Sequence, residues 1–238
     1  MKEQLIIVGN GSASSEVIDF IERYDLFEII GYAINERYIT ENEFRGKPLY
    51  PLEKLDQFID KTQTKLFLAI SWYQNMNGLK RRMFEELKPR GFRFANLVSP
   101  SADVFTDDIG EGNWICDHAY LSHGCKIGDN NTFRPYAFVG HYSEIKNHSI
   151  IGARSNLAGH VTVGDQVYIG IGATIFNKID VGEKCLVGGS AIVKRHLAPY
   201  SLVVVPDCIV KQKDSESIEK YLSLGHIKKT IGDKPAEG

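Results

Sequence analysis

Cysteine is scarce in this chain, and its four copies show no paired spacing. Cys116, Cys125, Cys185 and Cys208 form no CxxC pair, so the sequence indicates no disulfide framework. Long apolar runs are also lacking, because none approaches the roughly 18 residues that span a bilayer. The apolar part of the opening segment MKEQLIIVGNG is too short for a signal peptide. These absences predict a protein of the reducing cytoplasm without a membrane segment.

An excess of charge of one sign is lacking as well. The formal net charge is −2, so no overall positive field would draw the chain to nucleic acid or anionic lipid. Hydrophobic residues make up 43% and charged residues 24% of the chain, which is ordinary for a globular protein. The length of 238 residues suffices for one large domain or two smaller ones.

Residues 1–96 alternate between strand-like and helix-like segments. Apolar strand patterns (QLIIVG, EIIGYAI, KLFLAI, FRFANLV) are separated by segments with helical spacing of apolar residues (SSEVIDFIERY, PLEKLDQFID, NGLKRRMFEELKPRG). Alternation of this kind predicts a small parallel sheet with helices on its faces. The first part of the chain is therefore expected to be an α/β domain.

The second part of the chain follows a six-residue repeat. An aliphatic or aromatic residue recurs at every sixth position, and a small residue mostly follows four positions later. The recurring residues are Ile109, Ile115, Leu121, Ile127, Phe133, Val139, Ile145, Ile151, Leu157, Val163, Ile169, Ile175, Val181, Val187 and Val193. A hexapeptide period predicts a parallel β-helix with three units per coil and the recurring residues inside. Glycine and asparagine are expected at its strained corners.

This array resembles the hexapeptide-repeat sugar acyltransferases, which form left-handed parallel β-helices. An N-terminal α/β half narrows the resemblance to the group that contains sialic acid O-acetyltransferases and the nucleotide-amino-sugar N-acetyltransferases of bacillosamine biosynthesis. The resemblance implies a Rossmann-like nucleotide-sugar-binding domain at 1–96, a left-handed β-helix acyltransferase domain at 97–212, and a C-terminal helix and tail at 213–238. It also implies acetyl-CoA as co-substrate and a homotrimer with active sites between subunits.

The repeat places His141 and Gly159 in one column. Residues 18 positions apart stack on adjacent coils at a strand spacing of about 4.8 Å, and both residues stand two positions after a core residue. In the resembling N-acetyltransferases, a histidine accepts the proton of the attacking amine, and a glycine N–H on the next coil stabilises the oxyanion. The resemblance therefore implies that His141 is the general base and that Gly159 is the oxyanion donor.

The neighbours of this column depart from the family pattern. Tyr142 follows the histidine where relatives carry a carboxylate, and Arg134 stands where relatives carry asparagine. Glu144 is a candidate replacement for the missing carboxylate. His123 is expected to shape the acceptor pocket together with Tyr142 and Arg134, and His160 to contact the cofactor. His148, on another face, is expected to be a surface residue.

The N-terminal loop VGNGSASSEV opens a helix, where backbone N–H groups favour phosphate. It fails the GxGxxG pattern, because a serine replaces the third glycine. The resemblance nevertheless implies that the loop holds the pyrophosphate of a nucleotide sugar and that two residues after the second strand contact the nucleobase. The expected substrate-binding residues are Gly9, Gly11, Ser12, Ser14, Asn35 and Glu36. Trp72 and Tyr73 are candidates for stacking on the base.

The resemblance places coenzyme A along the prism between subunits, near its C-terminal end. Small side chains would let the pantetheine arm lie flat, and a lysine would meet a phosphate. The expected cofactor contacts are Gly159, His160, Gly172, Ala173, Ala191, Lys194 and Pro206.

Other functions remain open. A sugar O-acetyltransferase of the sialic acid type would use the same prism with a hydroxyl nucleophile. His118 and His123 lie in a segment similar to γ-class carbonic anhydrases, but residues 82–117 contain no third histidine, so no metal site is expected. A prism protein without catalytic activity is the remaining alternative.

Overall fold

A computed structural model describes residues 2–70, 77–207 and 212. The chain divides into two compact units, Met1–Val205 and Pro206–Gly238, and every helix and strand described here lies in the first. The expected C-terminal helix, Cys208, and the expected stacking residues Trp72 and Tyr73 lie outside the described residues. No helix in the described ranges is long and apolar enough to cross a membrane.

The N-terminal half forms a five-stranded sheet with the order β3-β4-β2-β1-β5. Its elements are β1 (Gln4–Val8), α1 (Ser12–Tyr24), β2 (Glu28–Ile34), β3 (Glu43–Phe44), β4 (Lys47–Pro51), β5 (Thr64–Leu68) and α2 (Gly78–Leu87). Strands β1, β2 and β5 pair in parallel, as the alternating pattern predicts. Strand β4, which the pattern does not predict, also pairs in parallel with β2. The short strand β3, which the pattern does not predict, pairs antiparallel with β4.

The two helices cover opposite faces of this sheet. Leu5 and Ile7 of β1 belong to the apolar cluster that contains the buried face of α1. Ile6 of the same strand belongs to a second cluster, which contains Phe84 and Leu87 of α2. Successive side chains of a strand point to opposite faces, so β1 supplies both layers of the core.

Two N-terminal segments differ from the sequence-based expectation. PLEKLDQFID forms only a short 3₁₀ helix, Leu52–Gln57, in which Leu52 and Leu55 are the buried residues. Their spacing of three residues suits a 3₁₀ turn. FRFANLV does not form a full strand of the N-terminal sheet. Phe94 makes a single isolated bridge to β5, and Leu97–Val98 pairs with the first coil of the second half instead.

The second half is a three-sided prism of parallel two-residue strands. These are β6 (Leu97–Val98), β7 (Asp103–Val104), β8 (Trp114–Ile115), β9 (Tyr120–Leu121), β10 (Lys126–Ile127), β11 (Thr132–Phe133), β12 (Phe138–Val139), β13 (Glu144–Ile145), β14 (Ile150–Ile151), β15 (Asn156–Leu157), β16 (Thr162–Val163), β17 (Tyr168–Ile169), β18 (Thr174–Ile175), β19 (Asp180–Val181), β20 (Leu186–Val187), β21 (Ile192–Val193) and β22 (Leu202–Val203). Successive strands fall into three sheets, with orders β10-β13-β16-β19, β22-β20-β17-β14-β11-β8-β6 and β21-β18-β15-β12-β9-β7. A parallel β-helix is confirmed, and its form is consistent with the expected left-handed coil.

From β8 to β21 the register within each sheet is 18 residues, as the repeat predicts, whereas the pairings of β6, β7 and β22 at the two ends are one or two residues shorter. Val139 pairs with Leu157, for example, and Ile145 pairs with Val163. The recurring aliphatic residues fill the interior. The small residues four positions later also face inward, as the full burial of Ala119 shows, which explains why they must be small.

The corners of the prism differ from the expectation of glycine and asparagine. Every sixth residue from 112 to 190 has a positive φ. These residues are Gly112, His118, Gly124, Asn130, Tyr136, Tyr142, His148, Arg154, His160, Gln166, Gly172, Lys178, Lys184 and Ser190. The left-handed conformation costs a non-glycine residue about 1–2 kcal/mol. The corner N–H donates to a carbonyl of the preceding coil, as from Tyr142 to His123 O at 3.0 Å, and this repeated bond offsets the strain.

Candidate active site

His141 and Gly159 lie against each other on adjacent coils. His141 follows β12, and Gly159 follows β15, the strand paired with it. A Cβ atom added to Gly159 would stand 2.5 Å from His141 Cε1 and 2.6 Å from Nε2. Side-chain atoms do not approach so closely, so only glycine leaves room for the imidazole here. The stacking predicted from the 18-residue register is therefore present.

The polar groups of this pair are unpaired among the described residues, although Gly159 itself is buried beneath the imidazole. His141 is exposed, and in the described part of the chain no group forms a hydrogen bond with either of its ring nitrogens. The Gly159 N–H likewise donates to no group among the described residues, although the N–H groups on both sides of it are used. An unpaired imidazole beside an unpaired backbone N–H provides a proton acceptor next to an oxyanion donor.

Two aromatic side chains surround His141. His160 stands perpendicular to it, with ring centroids 5.2 Å apart, and Tyr142 stacks on His160 at 5.4 Å. Tyr142 is a corner residue with φ 55°, and its ring covers the position where Gly124 lacks a side chain. His160 therefore lies beside His141, and its contact with the cofactor stays a prediction. The Tyr142 ring stands where the resemblance implies a carboxylate.

Glu144 does not replace the missing carboxylate. It is an exposed residue of β13, on the strand after the corner that Tyr142 makes. Across the residues that the structure describes, Glu144 forms no hydrogen bond with His141. The expectation that it orients the imidazole is therefore not supported.

His123 precedes His141 in the same column. It is exposed, and its ring packs against Phe105 at 4.8 Å between centroids. His118, in contrast, is a corner residue that stacks on Tyr136. No group of three His, Cys, Asp or Glu side chains within the described ranges could hold a metal ion.

His148 is buried, and its expected place on the surface is wrong. Only 7% of it is exposed. Its Nδ1 lies 2.8 Å from Asn130 Nδ2, its ring meets the edge of Phe84, and Asn77 Nδ2 donates to its carbonyl oxygen. Burial lowers the pKa of His148 to about 4. The corner at His148 faces α2 rather than solvent, which the repeat alone does not reveal.

The N-terminal loop offers fewer ligand donors than expected. Gly9 has φ 120°, and a side chain there would meet the Ala69 carbonyl oxygen. Ser14 is buried, its hydroxyl donates to Ala69 O at 3.1 Å, and its N–H donates to Gly11 O. Ser14 therefore has no donor left for phosphate, and the expectation for it is corrected. Gly11 and Ser12 remain exposed at the start of α1.

Asn35 and Glu36 follow β2, at the carboxyl edge of the sheet. The side-chain amide of Asn35 donates to Glu53 at 3.0 Å, and the Glu36 N–H donates to the other carboxylate oxygen of Glu53. The Glu36 carboxylate pairs with Lys54. Asn35 is half-buried and precedes the short 3₁₀ helix Glu36–Tyr38, in which Glu36 is exposed. Contact of the two residues with a nucleobase stays a prediction.

A cleft of about 290 Å³ lies between the N-terminal sheet and the first coils of the prism. It is lined by residues from both halves, among them Ser12, Glu16, Asn77, Lys80, Trp114 and Arg134. Arg134 donates to Glu16 at 2.6 Å and lies 5.3 Å from the centre of the Trp114 ring. It therefore lines this cleft, as a substrate-binding residue would, and contacts a residue of α1.

Lys80 is the residue of this cleft that the sequence analysis misses. It is 4% exposed, and burial lowers the pKa of its ammonium group to about 8. Lys80, Phe84 and Leu87 share the buried face of α2 at spacings of four and three residues. A lysine at an apolar-face position of the helix is the signal that could have identified it.

Several expected cofactor contacts are not available. Ala173 and Ala191 are buried in the prism interior, with 0% and 1% exposure, so neither can contact a cofactor, and both expectations are corrected. Both stand at the inward-facing small position of the repeat. Gly172 is a corner residue, Lys194 Nζ lies over the Phe176 ring, and Pro206 is exposed.

Comparison with known proteins supports the same class of fold. The family model for bacterial transferase hexapeptide repeats (six repeats) matches residues 108–141. No curated protein sequence is similar to the chain at a significant level. The resemblance to hexapeptide-repeat transferases inferred from the sequence is thus confirmed for the repeat.

Solved structures of sugar acetyltransferases share the fold over most of the chain. A histidine-to-asparagine variant of perosamine N-acetyltransferase from Caulobacter crescentus, in complex with CoA and GDP-perosamine, is 24% identical with a TM-score of 0.72, covering 88% of this chain and 97% of that one. The acetyltransferase domain of PglB from Neisseria gonorrhoeae, in complex with acetyl coenzyme A, is 20% identical with a TM-score of 0.71, covering 85% and 96%. WeeI from Acinetobacter baumannii is 20% identical with a TM-score of 0.69, covering 84% and 96%. At such identities the similarity establishes the fold.

Proposed function

We propose that this protein is an acetyl-CoA-dependent N-acetyltransferase that acetylates the amino group of a nucleotide-linked amino-deoxy sugar. The observation that carries the proposal is the exposed imidazole of His141 packed against Gly159, whose N–H is unpaired within the described residues. Of the three solved structures described above, two contain CoA or acetyl coenzyme A, and one of these also contains GDP-perosamine. These neighbours support the class of donor and acceptor.

The chemistry follows from the two groups. The sugar amine attacks the thioester carbon, and His141 accepts the proton that the nitrogen loses, a contribution of about 10²–10⁴-fold to the rate. The thioester oxygen gains negative charge, which the Gly159 N–H stabilises. The carbon–sulfur bond then breaks, the amide forms, and the imidazolium returns the proton to the departing thiolate of CoA.

The N-terminal half is proposed to bind the nucleotide. Ser12 and Gly11 stand at the N-terminus of α1, and Asn35 follows the neighbouring strand β2. Carboxyl ends of parallel strands and helix N-termini are where α/β sheets hold phosphate and base. This edge of the sheet supports a Rossmann-like role in nucleotide binding. The nucleotide is proposed to be UDP or dTDP, and GDP is included in the test because the perosamine N-acetyltransferase structure contains GDP-perosamine.

A homotrimer with active sites between subunits is part of the proposal. Large apolar side chains are exposed along the prism: Phe138, Ile171, Phe176, Ile192, Leu202 and Val204. Ile171 and Ile192 are each 62% exposed, and exposed apolar patches mark surfaces that association covers. In the cleft, Thr132 belongs to β11 and Arg134 follows it, whereas His141 follows β12 of a different prism sheet. This separation supports a site assembled from two subunits.

A coupled assay tests the proposal. Purified protein is mixed with acetyl-CoA and a panel of UDP-, dTDP- and GDP-linked amino sugars, and free thiol and product mass are followed. We expect thiol release with at least one acceptor and a product heavier by one acetyl group. Acetylation of a hydroxyl instead of the amine would favour the O-acetyltransferase alternative. The proposal would be contradicted if no acceptor caused thiol release, although the protein bound the nucleotide under the conditions of the assay.

A further inference from the structure

We propose that Lys80 binds a phosphate group of the nucleotide-linked substrate in the cleft between the N-terminal sheet and the prism. The inference rests on the proposed function, since it names the residue that selects a diphosphate in that substrate. The proposed phosphate contact differs from the N-terminal loop that the sequence predicts to hold the pyrophosphate. Its cation comes from α2 and lies at the junction of the two halves.

The burial of Lys80 is not balanced by an anion of the protein. No carboxylate in the described part of the chain forms an ion pair with it, and its Nζ lies 5.6 Å from the centroid of the Phe67 ring. Removing an ammonium group from water without an opposite charge is costly. A buried cation that lines a cleft is stabilised when an anion enters that cleft.

Other polar groups of the cleft also lack partners. Trp114 Nε1 and Asn77 Oδ1 are buried and form no hydrogen bond with any described residue. Both residues line the same cleft, and Trp114 is 92% buried, since 8% of it is exposed. Buried polar groups are rarely left unsatisfied. A ligand carrying acceptor oxygens and hydroxyl groups would satisfy the indole donor and the amide acceptor.

The acidic residue of the cleft does not neutralise Lys80. Glu16 lies at the cleft but accepts the hydrogen bond of Arg134 at 2.6 Å, and Lys80 Nζ contacts an aromatic ring instead. With two cations and one carboxylate, the local formal charge is positive. Ser12, also at the cleft, begins the 13-residue helix α1, whose N-terminus adds to the attraction for phosphate.

Protonation of Lys80 should be coupled to binding of the phosphate group. Burial lowers the pKa of Lys80 to about 8, so most molecules carry a neutral Lys80 amine above that pH. A phosphate beside the amine favours the charged form and raises the pKa. Binding at about pH 9 should therefore take up a proton, whereas binding at about pH 6 should take up far less at this residue.

Calorimetric titration tests the inference without acetyl transfer. Pyrophosphate, UDP, dTDP and GDP are titrated into the full-length protein at about pH 6 and about pH 9, in buffers of different ionisation enthalpy. For the wild type we expect binding of at least one nucleoside diphosphate, with proton uptake at the higher pH. Lys80→Met should raise Kd at least about tenfold, since a charge-assisted hydrogen bond is lost, and should abolish the proton uptake.

Arg82→Met is the matched control, because Arg82 is an exposed cation on the same helix. It should leave Kd and proton uptake unchanged. Thermal unfolding without ligand should show no loss of stability for Lys80→Met, since a buried charge is removed, and Lys80→Gln provides a second variant. Unchanged Kd in a folded Lys80 variant, or no diphosphate binding by the wild type, would overturn the inference. Weakened diphosphate binding in a protein that acetylates no amino sugar would overturn the proposed function instead.

Discussion

The side chains of His141 and Tyr142 depend on two glycines of neighbouring coils. The imidazole occupies the space beside Gly159, and the phenol ring occupies the space beside Gly124. Tyr142 turns the corner at φ 55°, which directs its ring to His160 and leaves His141 at the exposed edge. The two glycines therefore determine the geometry of the site as much as the histidine does.

A methyl group at position 159 should displace the imidazole. In Gly159→Ala the new Cβ would stand 2.5 Å from His141 Cε1, so the ring must rotate away from the oxyanion donor. We expect kcat to fall about 10²-fold or more, because small misplacements of catalytic groups are costly, while the fold is retained. Steady-state thiol release and circular dichroism provide the measurement.

A double variant shows whether Gly159→Ala acts by displacing the His141 ring or by another effect on catalysis. If Gly159→Ala acts by displacing His141, then Gly159→Ala combined with His141→Ala should be little slower than His141→Ala alone, since residues in contact are not additive. If the fold-losses in kcat of the two single variants instead multiply in the double variant, the methyl group acts elsewhere, on the oxyanion or the cofactor.

Residues in the regular column were predictable, and residues at the junction of the two halves were not. His141 and Gly159 follow from the 18-residue register, because each coil repeats the one before it. The burial of His148 and Lys80 depends on where α2 packs, which no local pattern specifies. Ala173 and Ala191 were misassigned because a small residue suits both a flat surface and a narrow interior.

Helix α2 is fixed to the prism through a corner of the β-helix. Phe84 meets the ring of His148, with centroids 5.6 Å apart, and Arg81 donates to Gln166 at 2.6 Å. Asn77, just before the helix, donates to the His148 carbonyl oxygen. The same helix carries Lys80 into the cleft, so its attachment at His148 positions a group of the proposed substrate site.

Acid should weaken the folded state through His148. Burial lowers its pKa from 6.5 to about 4, so between these values the unfolded chain binds a proton that the folded chain does not. Stability is therefore lost as pH falls through this window, by up to about 3 kcal/mol from this group. Urea unfolding at about pH 7 and about pH 5 should show a smaller loss for His148→Gln than for the wild type.

The exposed His118 provides the control for that measurement. It is a corner residue stacked on Tyr136, so His118→Gln should keep the pH dependence of the wild type. At neutral pH, His148→Gln should itself lose about 1–3 kcal/mol, because it disturbs the hydrogen bond with Asn130. A pH dependence in His148→Gln equal to that of the wild type would show that this residue is not the acid-sensitive group.

Elements of the prism were easier to predict than those of the N-terminal half. Each prism strand is specified by one inward residue at a fixed period, and fifteen repetitions leave no alternative register. The segment PLEKLDQFID has helical spacing, yet it folds as the 3₁₀ helix Leu52–Gln57, because its two leucines are buried whereas Phe58 is exposed. Single short segments lack the repetition that makes the prism pattern unambiguous.

At the scale of the whole molecule, the proposed nucleotide cleft and His141 belong to different prism sheets. The cleft includes Thr132 and Arg134, which belong to or follow β11, whereas His141 follows β12. A trimer would allow the cleft of one subunit to face the histidine of the next. The active site would then require two subunits, in agreement with the exposed apolar side chains along the prism.

Mixed trimers test this arrangement. His141→Asn and Lys80→Met subunits are co-expressed with different tags, and mixed assemblies are purified and assayed at low acceptor concentration. If each site takes its histidine and its lysine from adjacent subunits, one of the three sites in every mixed trimer is intact, so the purified mixed assemblies should show up to about a third of wild-type activity. Activity no higher than that of the separate variants would place both groups in one subunit or exclude Lys80 from the site.

The central claim is that His141 is the base of an acetyl transfer. His141→Asn keeps a polar side chain of similar size without a basic nitrogen, and His118→Asn makes the same change at an exposed corner histidine outside the column. With the acceptor found in the panel, kcat should fall about 10²–10⁴-fold in His141→Asn, with little change in KM for acetyl-CoA, and should be unchanged in His118→Asn. A His141→Asn protein with the kcat of the wild type would contradict the account.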